Sequence, residues 1–330
     1  MERTMRPLGK ILVTGATGFL GGALVRRLVS SGHDVFALGR NQSVGRSLGC
    51  EFRSIELSDA AALVAAHEGI QTVFHCGALS APWGRSEEFE KANFLGAANV
   101  LLACKANAVA RLIHVSTPSI YFRHGDGMNV REDAPLPLPV NDYARTKLAA
   151  EKLVRAGNLP HVILRPRAIF GPGDRTILPR LIRAMQRGRL KVIGTGTNIT
   201  DLSYIDNVVD ALILAGTADS HVEGNIYNIT NGEPLPLWDL VKELSIMLNL
   251  KLRPGRVPRS LGIFLAGAME LAHHVFRIEK EPFMTRYGVG VLTANQTLDI
   301  SAAKRDLGYE PQISVREGLR RFAEWWKEVK

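Results

Sequence analysis

A glycine-rich turn between a short apolar run and a helical pattern constrains the fold more than any other feature of the chain. Residues 11–13 (Ile-Leu-Val) suit a strand buried on both faces of a parallel sheet. Three glycines follow at intervals of three residues, namely Gly15, Gly18 and Gly21. Such glycines allow a tight turn and a close approach of backbone to phosphate, and the start of the next helix favours the same anion. We therefore predict a dinucleotide-binding strand, turn and helix, the helix starting near Thr17; an ordinary glycine-rich turn is the alternative.

Further apolar runs alternate with helical patterns and extend this unit into an α/β fold. Strands are predicted at residues 35–38, 72–75 and 111–115. The alternation from residue 10 to about residue 170 predicts a doubly wound parallel sheet of the Rossmann type.

The Gly-Pro-Gly turn at residues 171–173 breaks this pattern and predicts an excursion into a second, smaller part. A helix is predicted at residues 177–187, after which the chain returns to the sheet. The dinucleotide-binding part is predicted to comprise residues 1–172 plus about 202–230. The discontinuous substrate-binding part takes about residues 173–201 plus 231–330, and the active site lies between the two.

A tyrosine and a lysine four residues apart, Tyr143 and Lys147, indicate proton transfer. On a helix they share one face, with Cβ atoms roughly 5–6 Å apart. The pKa of a free phenol is about 10, and a nearby ammonium lowers it because it favours the phenolate. Such a phenol can pass a proton to a carbonyl oxygen while hydride from a nicotinamide reaches the carbon. Ser116, Thr117 and Ser119 offer hydroxyls to polarise that carbonyl; an incidental surface pair and turn-forming hydroxyls are the alternatives.

The end of the strand at residues 35–38 indicates the choice of cofactor. In this fold an acid at that position bonds the ribose 2′-hydroxyl and repels a 2′-phosphate. Here the strand runs into Gly39 and Arg40, with no acid. Gly39 leaves room, and Arg40 can pair with a phosphate through a forked guanidinium. NADP(H) is therefore predicted in preference to NAD(H), unless Arg40 is only a solvated loop cation.

With these motifs the chain resembles the extended short-chain dehydrogenase/reductase family. The blocks TGATGFLGG (14–22), HCGA (75–78), STPSIY (116–121), YARTK (143–147) and LRPRAIFGPGD (164–174) match its signatures in order. The resemblance implies that Thr117, Tyr143 and Lys147 are catalytic, and it implies a larger set of cofactor-binding residues. That set is Gly15, Thr17, Gly18, Phe19, Leu20, Gly21, Arg40, Glu56, Leu57, Gly77, Ala78, Tyr143, Lys147, Pro166, Ala168 and Ile169. Glu56 stands where the family more usually has Asp.

Within the family, the chain resembles the 3β-hydroxysteroid dehydrogenase-like branch and, more narrowly, the 2-alkyl-3-oxoalkanoate reductases of bacterial long-chain olefin biosynthesis. The likeness extends to APWG (81–84), YIDN (204–207), NGEPLP (231–236) and LGYEPQISVREGL (307–319). It implies NADPH-dependent reduction of a β-keto acid with long alkyl chains. Three alternatives stay open: a hydroxysteroid dehydrogenase, a sugar-nucleotide epimerase that keeps NAD bound, and a non-catalytic NADP(H) sensor.

The apolar segment at residues 261–275 bears on how a lipid substrate binds. It is too short to span a bilayer, contains Glu270, and is flanked by arginines at positions 253, 256, 259 and 277. We favour a helix that covers an apolar pocket and whose large residues contact alkyl chains. These residues are Leu261, Phe264, Leu265 and Leu271, and on the other side Trp83 and Ser119 are predicted to contact substrate. A surface helix on an anionic membrane is the alternative.

The net charge of +9 agrees with anionic ligands such as NADPH and a carboxylate substrate. No basic block interleaved with aromatic residues is present, so no nucleic-acid partner is expected. The three cysteines lack metal-site spacing, which predicts reduced thiols, no metal and a cytoplasmic protein. A homodimer is expected, and association with a membrane surface or with other enzymes stays open.

Overall fold

A seven-stranded parallel sheet forms the centre of the computed structural model, which describes residues 6–188, 190–252 and 255–329. The strands are β1 (Ile11–Thr14), β2 (Val35–Gly39), β3 (Glu51–Ser54), β4 (Thr72–His75), β5 (Arg111–Val115), β6 (His161–Pro166) and β7 (Ile226–Ile229). Across the sheet their order is β7-β6-β5-β4-β1-β2-β3. The prediction of a doubly wound parallel sheet is confirmed, and the predicted helix after residue 176 is also present.

Helices connect these strands and continue beyond them. The α-helices are α1 (Phe19–Ser30), α2 (Gln42–Arg46), α3 (Ala60–Ala66), α4 (Ser86–Phe89), α5 (Gly96–Ala106), α6 (Asp142–Arg155), α7 (Ile177–Gln186), α8 (Ile205–Thr217), α9 (Leu237–Met247), α10 (Arg259–Val275), α11 (Arg286–Thr293) and α12 (Val315–Glu328). Glu90–Leu95 and Ala303–Leu307 are π-helical, and Pro118–Tyr121 and Ser220–Val222 form 3₁₀ turns.

The strand order reverses at β1, which pairs with β2 on one side and β4 on the other. In parallel sheets a ligand crevice forms at such a reversal, beyond the carboxyl ends of the strands. The glycine-rich turn after β1, Gly39 and Arg40 at the end of β2, and the loop after β4 therefore meet at one edge of the sheet.

Smaller sheets join segments that are distant in the chain. Leu235–Pro236, Ile199–Thr200, Gln296–Leu298 and Gly127–Val130 form a four-stranded sheet in that order. Ile169–Phe170 pairs with Ser203–Tyr204, and Lys191–Ile193 pairs with Gly255–Val257. An apolar cluster that includes residues of α7, α9 and α12 lies beside these strands.

The last part of the chain contributes to the core of the main sheet. Ile300, Leu307 and Tyr309 are buried in one apolar cluster with Val208 of α8 and strand residues of the sheet. Tyr309 Oη donates to the Thr230 carbonyl oxygen at 2.9 Å. The division of the chain into two parts at residue 231 stays a prediction, but part of the segment after that point packs against the sheet.

Helix α10 presents its large apolar residues outward, contrary to the favoured prediction. Its only buried residues are the small Gly262 and Ala266, and Ala266 packs with Ile193 and Val289. A Cβ at Gly262 would lie 3.0 Å from Ile193, so the helix approaches its neighbours too closely for a large side chain on that face. The flanking residue 253 lies outside the described residues. Among the residues that are described, no helix combines the length and apolar character needed to cross a bilayer.

Candidate active site

The glycine-rich turn is packed so closely that side chains are excluded from it. Gly15 has a φ of 67°, and a Cβ there would lie 2.7 Å from the backbone of Gly77. A Cβ at Gly21 would lie 2.4 Å from the Gly15 carbonyl oxygen. Helix α1 follows Gly18, and neither a side-chain cap nor an acid occupies its first turn. The turn thus presents bare backbone and a positive helix end, which fit the pyrophosphate of a dinucleotide.

Gly39 ends β2, and Arg40 follows it. Gly39 lies against Thr17, because a Cβ there would be 2.7 Å from Thr17 Oγ1. The Arg40 side chain is exposed. The Lys91 ammonium donates a hydrogen bond to Glu56 Oε2 at 3.2 Å, and this bond is the main cause of the lowered pKa of Glu56. The charge of Arg40 lowers the same pKa by a smaller amount. Arg40 therefore lies within electrostatic range of the predicted adenine side of the site.

Other predicted cofactor residues lie along the same edge of the sheet. Leu57 lies against Gly77, where a Cβ would be 2.8 Å from Leu57 Cδ1, and Ala78 follows Gly77. Phe19 and Leu20 open helix α1.

The segment after β6 holds the residues predicted to lie by the nicotinamide. Pro166 ends β6 and pairs with Ile229 of β7. Ala168 has a positive φ of 45°, which turns the chain between β6 and the strand that Ile169 begins.

Tyr143 and Thr117 meet at the carboxyl end of β5. Tyr143 lies in the first turn of α6, and its phenol is close enough to the side chains of Thr117 and Ser80 for their hydroxyls to lower its pKa. The Thr117 hydroxyl also accepts from the Ser119 backbone N–H at 3.2 Å, which caps the turn after β5. Two of the three predicted catalytic residues are thus neighbours.

A row of four hydroxyl groups extends from Tyr143 to helix α11. Thr117 Oγ1 donates to Ser119 Oγ at 3.1 Å, and Ser119 Oγ lies 3.0 Å from Tyr287 Oη. Tyr287 belongs to α11, and its ring lies 4.8 Å from that of Phe122. We call Tyr143, Thr117, Ser119 and Tyr287 the hydroxyl row; it offers several donors to one carbonyl or carboxylate group.

Lys147 lies one turn after Tyr143 and is buried. Its ammonium donates to the Val115 carbonyl oxygen at 2.6 Å. Burial lowers the pKa of Lys147 to about 8, because the charged form loses hydration. His75 and His114 lie nearby, with ring centroids 5.2 Å apart, and burial together with Lys147 lowers the pKa of His75 to about 3. His75 is therefore neutral near pH 7 and adds no second positive charge beside Lys147.

The sequence-based expectation that Lys147 lowers the pKa of Tyr143 is wrong for this arrangement. The pKa of Tyr143 is raised, because burial outweighs the hydrogen bonds from Thr117 and Ser80, and the phenol of Tyr287 raises it further. The Lys147 ammonium is engaged with the Val115 carbonyl oxygen. The phenol therefore keeps its proton through neutral pH.

Buried polar contacts hold the elements that carry these groups. Asn93 accepts from the Leu79 N–H at 2.7 Å and donates to Thr146 Oγ1 at 3.1 Å, which fastens the loop bearing Ser80 to α6. Sequence reasoning missed Asn93 and Ser80, although Ser80 follows the run of small residues after β4. Their spacing resembles no short motif, so the only available signal was that run.

Ser116, which the sequence offered as a third hydroxyl, is used elsewhere. It donates to Glu151 Oε2 at 2.7 Å, and Glu151 forms a buried ion pair with Arg165. Arg165 also donates to the Tyr121 hydroxyl. These contacts join α6, β6 and the turn after β5. Of the three predicted hydroxyls, Thr117 and Ser119 are left on the side of Tyr143.

Arg167 adds a cation that sequence reasoning did not single out, although it lies within the quoted block at residues 164–174. Its Nη2 donates to Gln296 Oε1 at 2.6 Å and to Thr200 Oγ1 at 3.3 Å. Its Nε is buried without a partner among the described residues. Burial lowers the pKa of Arg167, and Tyr287 lies within electrostatic range of it as well as of Tyr143.

Trp83 belongs to the loop after β4 and contacts helix α10. Its ring contacts those of His273 and His274 at centroid distances of 5.8 and 5.0 Å. The four α10 residues predicted to contact alkyl chains point outward instead, and Phe264 is 70% exposed. The reason is the small-residue face described above, which holds α10 to the fold. Contact of Trp83 and Ser119 with substrate stays a prediction.

The chain is similar in sequence and in structure to several known proteins. The NAD dependent epimerase/dehydratase family matches residues 11–230. A 2-alkyl-3-oxoalkanoate reductase of Stenotrophomonas maltophilia (strain K279a) is 37% identical, with 95% of this chain and 98% of that protein covered. A sterol-4-alpha-carboxylate 3-dehydrogenase (decarboxylating) of Mus musculus is 31% identical, with 94% and 89% covered. A UDP-glucuronic acid 4-epimerase from Bacillus cereus in complex with NAD has a similar structure, with a TM-score of 0.76, 26% identity and 97% and 99% covered.

Proposed function

The chain belongs to the NAD dependent epimerase/dehydratase family of extended short-chain dehydrogenases/reductases and is an NAD(P)-dependent oxidoreductase, and from this we propose that it reduces a hydrophobic 2-alkyl-3-oxoalkanoate with NADPH. The observation that carries the proposal is the position of a protonated Tyr143 phenol beside Thr117 at the carboxyl end of β5. A donor that holds its proton near neutrality suits reduction of a ketone to an alcohol.

In the proposed reaction the bound nicotinamide supplies the hydride. The Thr117 hydroxyl donates a hydrogen bond to the substrate carbonyl oxygen and helps to position it. Tyr143 transfers its proton to that oxygen as negative charge develops there. We propose that the Lys147 ammonium, one turn further along α6, binds the ribose of the cofactor, as the resemblance to the family implies.

The choice of NADPH is supported by the end of β2. A carboxylate there would repel a 2′-phosphate, and the sequence has Gly39 and Arg40 instead. The exposed Arg40 guanidinium forms stronger hydrogen bonds with a charged 2′-phosphate than with a neutral ribose hydroxyl.

An acidic substrate is supported by a buried cation and by the two named relatives. Both names describe a carboxylate on the carbon next to the carbon that carries the reacting oxygen. In this chain Arg167 lies within electrostatic range of Tyr287, and its Nε has no partner among the described residues. We propose that Arg167 attracts the carboxylate of a β-keto acid while the hydroxyl row engages the ketone.

A sterol ketone and a sugar nucleotide are the competing substrates, and a non-catalytic NADP(H) sensor is the competing role. The hydroxyl row argues against a sensor, because a protein that only binds the cofactor has no need of a placed proton donor. The residues at the end of β2 argue against an epimerase that keeps NAD bound, and no observation here favours that candidate over the reductase.

The test is the rate of NADPH oxidation with 2-alkyl-3-oxoalkanoates of increasing chain length, compared with a 4-carboxysterol ketone and with UDP-sugars. If the substrate is a lipid, each buried methylene contributes up to about 0.8 kcal/mol, so kcat/KM rises with length and then levels off. Tyr143→Phe is the matched control, since it keeps the ring and removes the proton donor. A flat trend with chain length contradicts the lipid substrate, and turnover of Tyr143→Phe at the normal rate contradicts the assigned donor.

A further inference from the structure

We infer that the outward face of α10 binds the surface of an anionic lipid bilayer. Leu261, Phe264, Ala268, Leu271 and Val275 are spaced by three and four residues in turn, which places them on one side of the helix. We call these five residues the apolar stripe. All are exposed, and Phe264, Leu271 and Val275 are 70%, 64% and 65% exposed.

The stripe is part of an unusual concentration of exposed apolar side chains. Half of the large apolar residues exposed in the described part of the chain lie between positions 261 and 283. Phe276, Ile278 and Phe283, which follow the helix in the chain, are exposed as well. Single exposed apolar residues are ordinary on a protein surface, whereas a contiguous patch marks a surface that meets another molecule.

The helix that carries the stripe is firmly attached to the fold. Gly262 and Ala266 pack against Ile193 and Val289, and the carboxylate of Glu270 accepts from Arg286 at the start of α11. The apolar stripe therefore lies on the outer face of a helix whose other face is packed against the fold.

The charges beside the stripe favour an anionic partner. The nearby acids are each paired: Glu270 with Arg286, Glu279 with Arg85, and Glu281 with Arg180. Arg256, Arg277 and Lys280 are exposed and form no ion pair among the described residues. An apolar helix face with unpaired cations at both ends matches the interface between acyl chains and anionic headgroups.

A second copy of this chain fits the stripe less well. In a two-fold dimer each surface meets its own copy, and two α10 helices packed antiparallel would bring Arg256 of one protomer toward Arg277 and Lys280 of the other. Like charges would then face each other at both ends of the contact, which opposes association.

The helix that carries the stripe contacts two elements that bear residues of the site. The C-terminal end of α10 contacts Trp83 through His273 and His274, and Trp83 follows Ser80 in the loop that reaches Tyr143. On the other side α10 packs on α11, which carries Tyr287. A bilayer on the stripe would therefore touch a helix that packs against both of these elements. The inference rests on exposed residues and charge, and it does not depend on the identity of the substrate.

Co-sedimentation of the full chain with vesicles tests the inference. We expect binding to vesicles of phosphatidylcholine with phosphatidylglycerol, weaker binding at high salt, and little binding to phosphatidylcholine alone. Phe264→Glu with Leu271→Glu should weaken binding at least about tenfold, because two charges enter the apolar interface. Leu138→Glu with Ile246→Glu is the matched control, since it adds the same charge at exposed apolar positions outside the stripe.

A second arm tests the cations with Arg277→Glu and Lys280→Glu, which should weaken binding and reduce its dependence on salt. NADPH binding by each variant shows that it is folded. Absence of binding to the anionic vesicles, or an equal loss in the control, overturns the inference. The inference is also overturned if light scattering shows that the protein is a dimer and that only the stripe variant is a monomer. In that case a second copy of the chain covers the stripe.

Discussion

At the scale of single residues, the buried ammonium of Lys147 gives the enzyme a pH dependence of predictable sign. A lysine with a pKa near 8 is charged below that pH and loses its charge above it. The pKa of Tyr143 is raised, so the phenol contributes no loss in this range. We expect kcat/KM for ketone reduction to fall above about pH 8, and Lys147→Met to be nearly inactive at every pH. Lys152→Met, an exposed lysine on the same helix, should keep the normal profile.

Arg40 is predicted to recognise the 2′-phosphate of the cofactor. A charge-assisted contact contributes roughly 1.5–3 kcal/mol, so Arg40→Ala should raise KM for NADPH by about 10- to 150-fold and leave KM for NADH almost unchanged. Arg46→Ala is the control, because it removes another exposed arginine near the same edge of the sheet. Equal effects of Arg40→Ala on the two cofactors would exclude the phosphate contact.

Arg167 is predicted to distinguish an acid from its ester. Arg167→Gln keeps a hydrogen-bonding side chain but removes the charge, so KM for the keto acid should rise by about tenfold or more. The methyl ester of the same acid should be reduced with an almost unchanged KM. Arg175→Gln removes a surface charge and serves as the control. A similar rise in KM for the acid and for the ester would show that Arg167 does not bind the substrate carboxylate. Its role would then be structural, through its hydrogen bonds to Gln296 and Thr200.

At the scale of elements, the contact between the glycine-rich turn and the end of β2 limits how cofactor preference can be changed. An acid at position 39 should favour NADH, but its Cβ would lie 2.7 Å from Thr17 Oγ1 and Cγ2. Gly39→Asp alone should therefore weaken binding of both cofactors. Adding Thr17→Ala removes the two closest atoms and should restore NADH binding without restoring NADPH. Dissociation constants from cofactor fluorescence decide this, and a double variant that still prefers NADPH contradicts it.

The strands that sequence reasoning found are buried, although the buried strand β6 was missed as well. The runs at β1, β2, β4 and β5 are apolar because they are buried, so their positions follow from the sequence. Strand β3 was not predicted, since it is a short edge strand with a polar and largely exposed sequence. Helix α10 was found, but its orientation was not, because the small residues on its buried face carry a weaker hydrophobic signal than the large residues outside.

The candidate site shows the same limit. Tyr143, Lys147 and the glycines lie in motifs whose spacing is local, so the sequence alone identifies them. Tyr287 reaches the hydroxyl row from more than a hundred residues away, and no local pattern joins it to Ser119. The raised pKa of Tyr143 depends on burial by distant segments, which spacing along one helix does not reveal.

At the scale of the whole molecule, the C-terminal segment should stabilise the nucleotide-binding sheet. Leu307 is buried in the same apolar cluster as the sheet strands. Leu307→Ala should lower the free energy of unfolding by about 2–5 kcal/mol in urea denaturation, because it removes a buried side chain and leaves a cavity. The exposed Val329→Ala should have almost no effect. Two unfolding transitions are the contrary outcome. If Leu307→Ala destabilises only the transition that NADPH does not stabilise, the C-terminal segment belongs to the predicted substrate-binding part and not to the nucleotide-binding sheet.

The hydroxyl row draws its members from two different segments, and this has an evolutionary consequence. Thr117, Ser119 and Tyr143 are attached to the sheet, whereas Tyr287 comes from α11. Mutations in α10 and α11 can therefore alter which molecules reach the site while Tyr143, the proposed proton donor, and the glycine-rich turn stay unchanged. A lineage built this way can acquire new substrates by drift in one region of the gene, and paralogues should diverge fastest between residues 255 and 294.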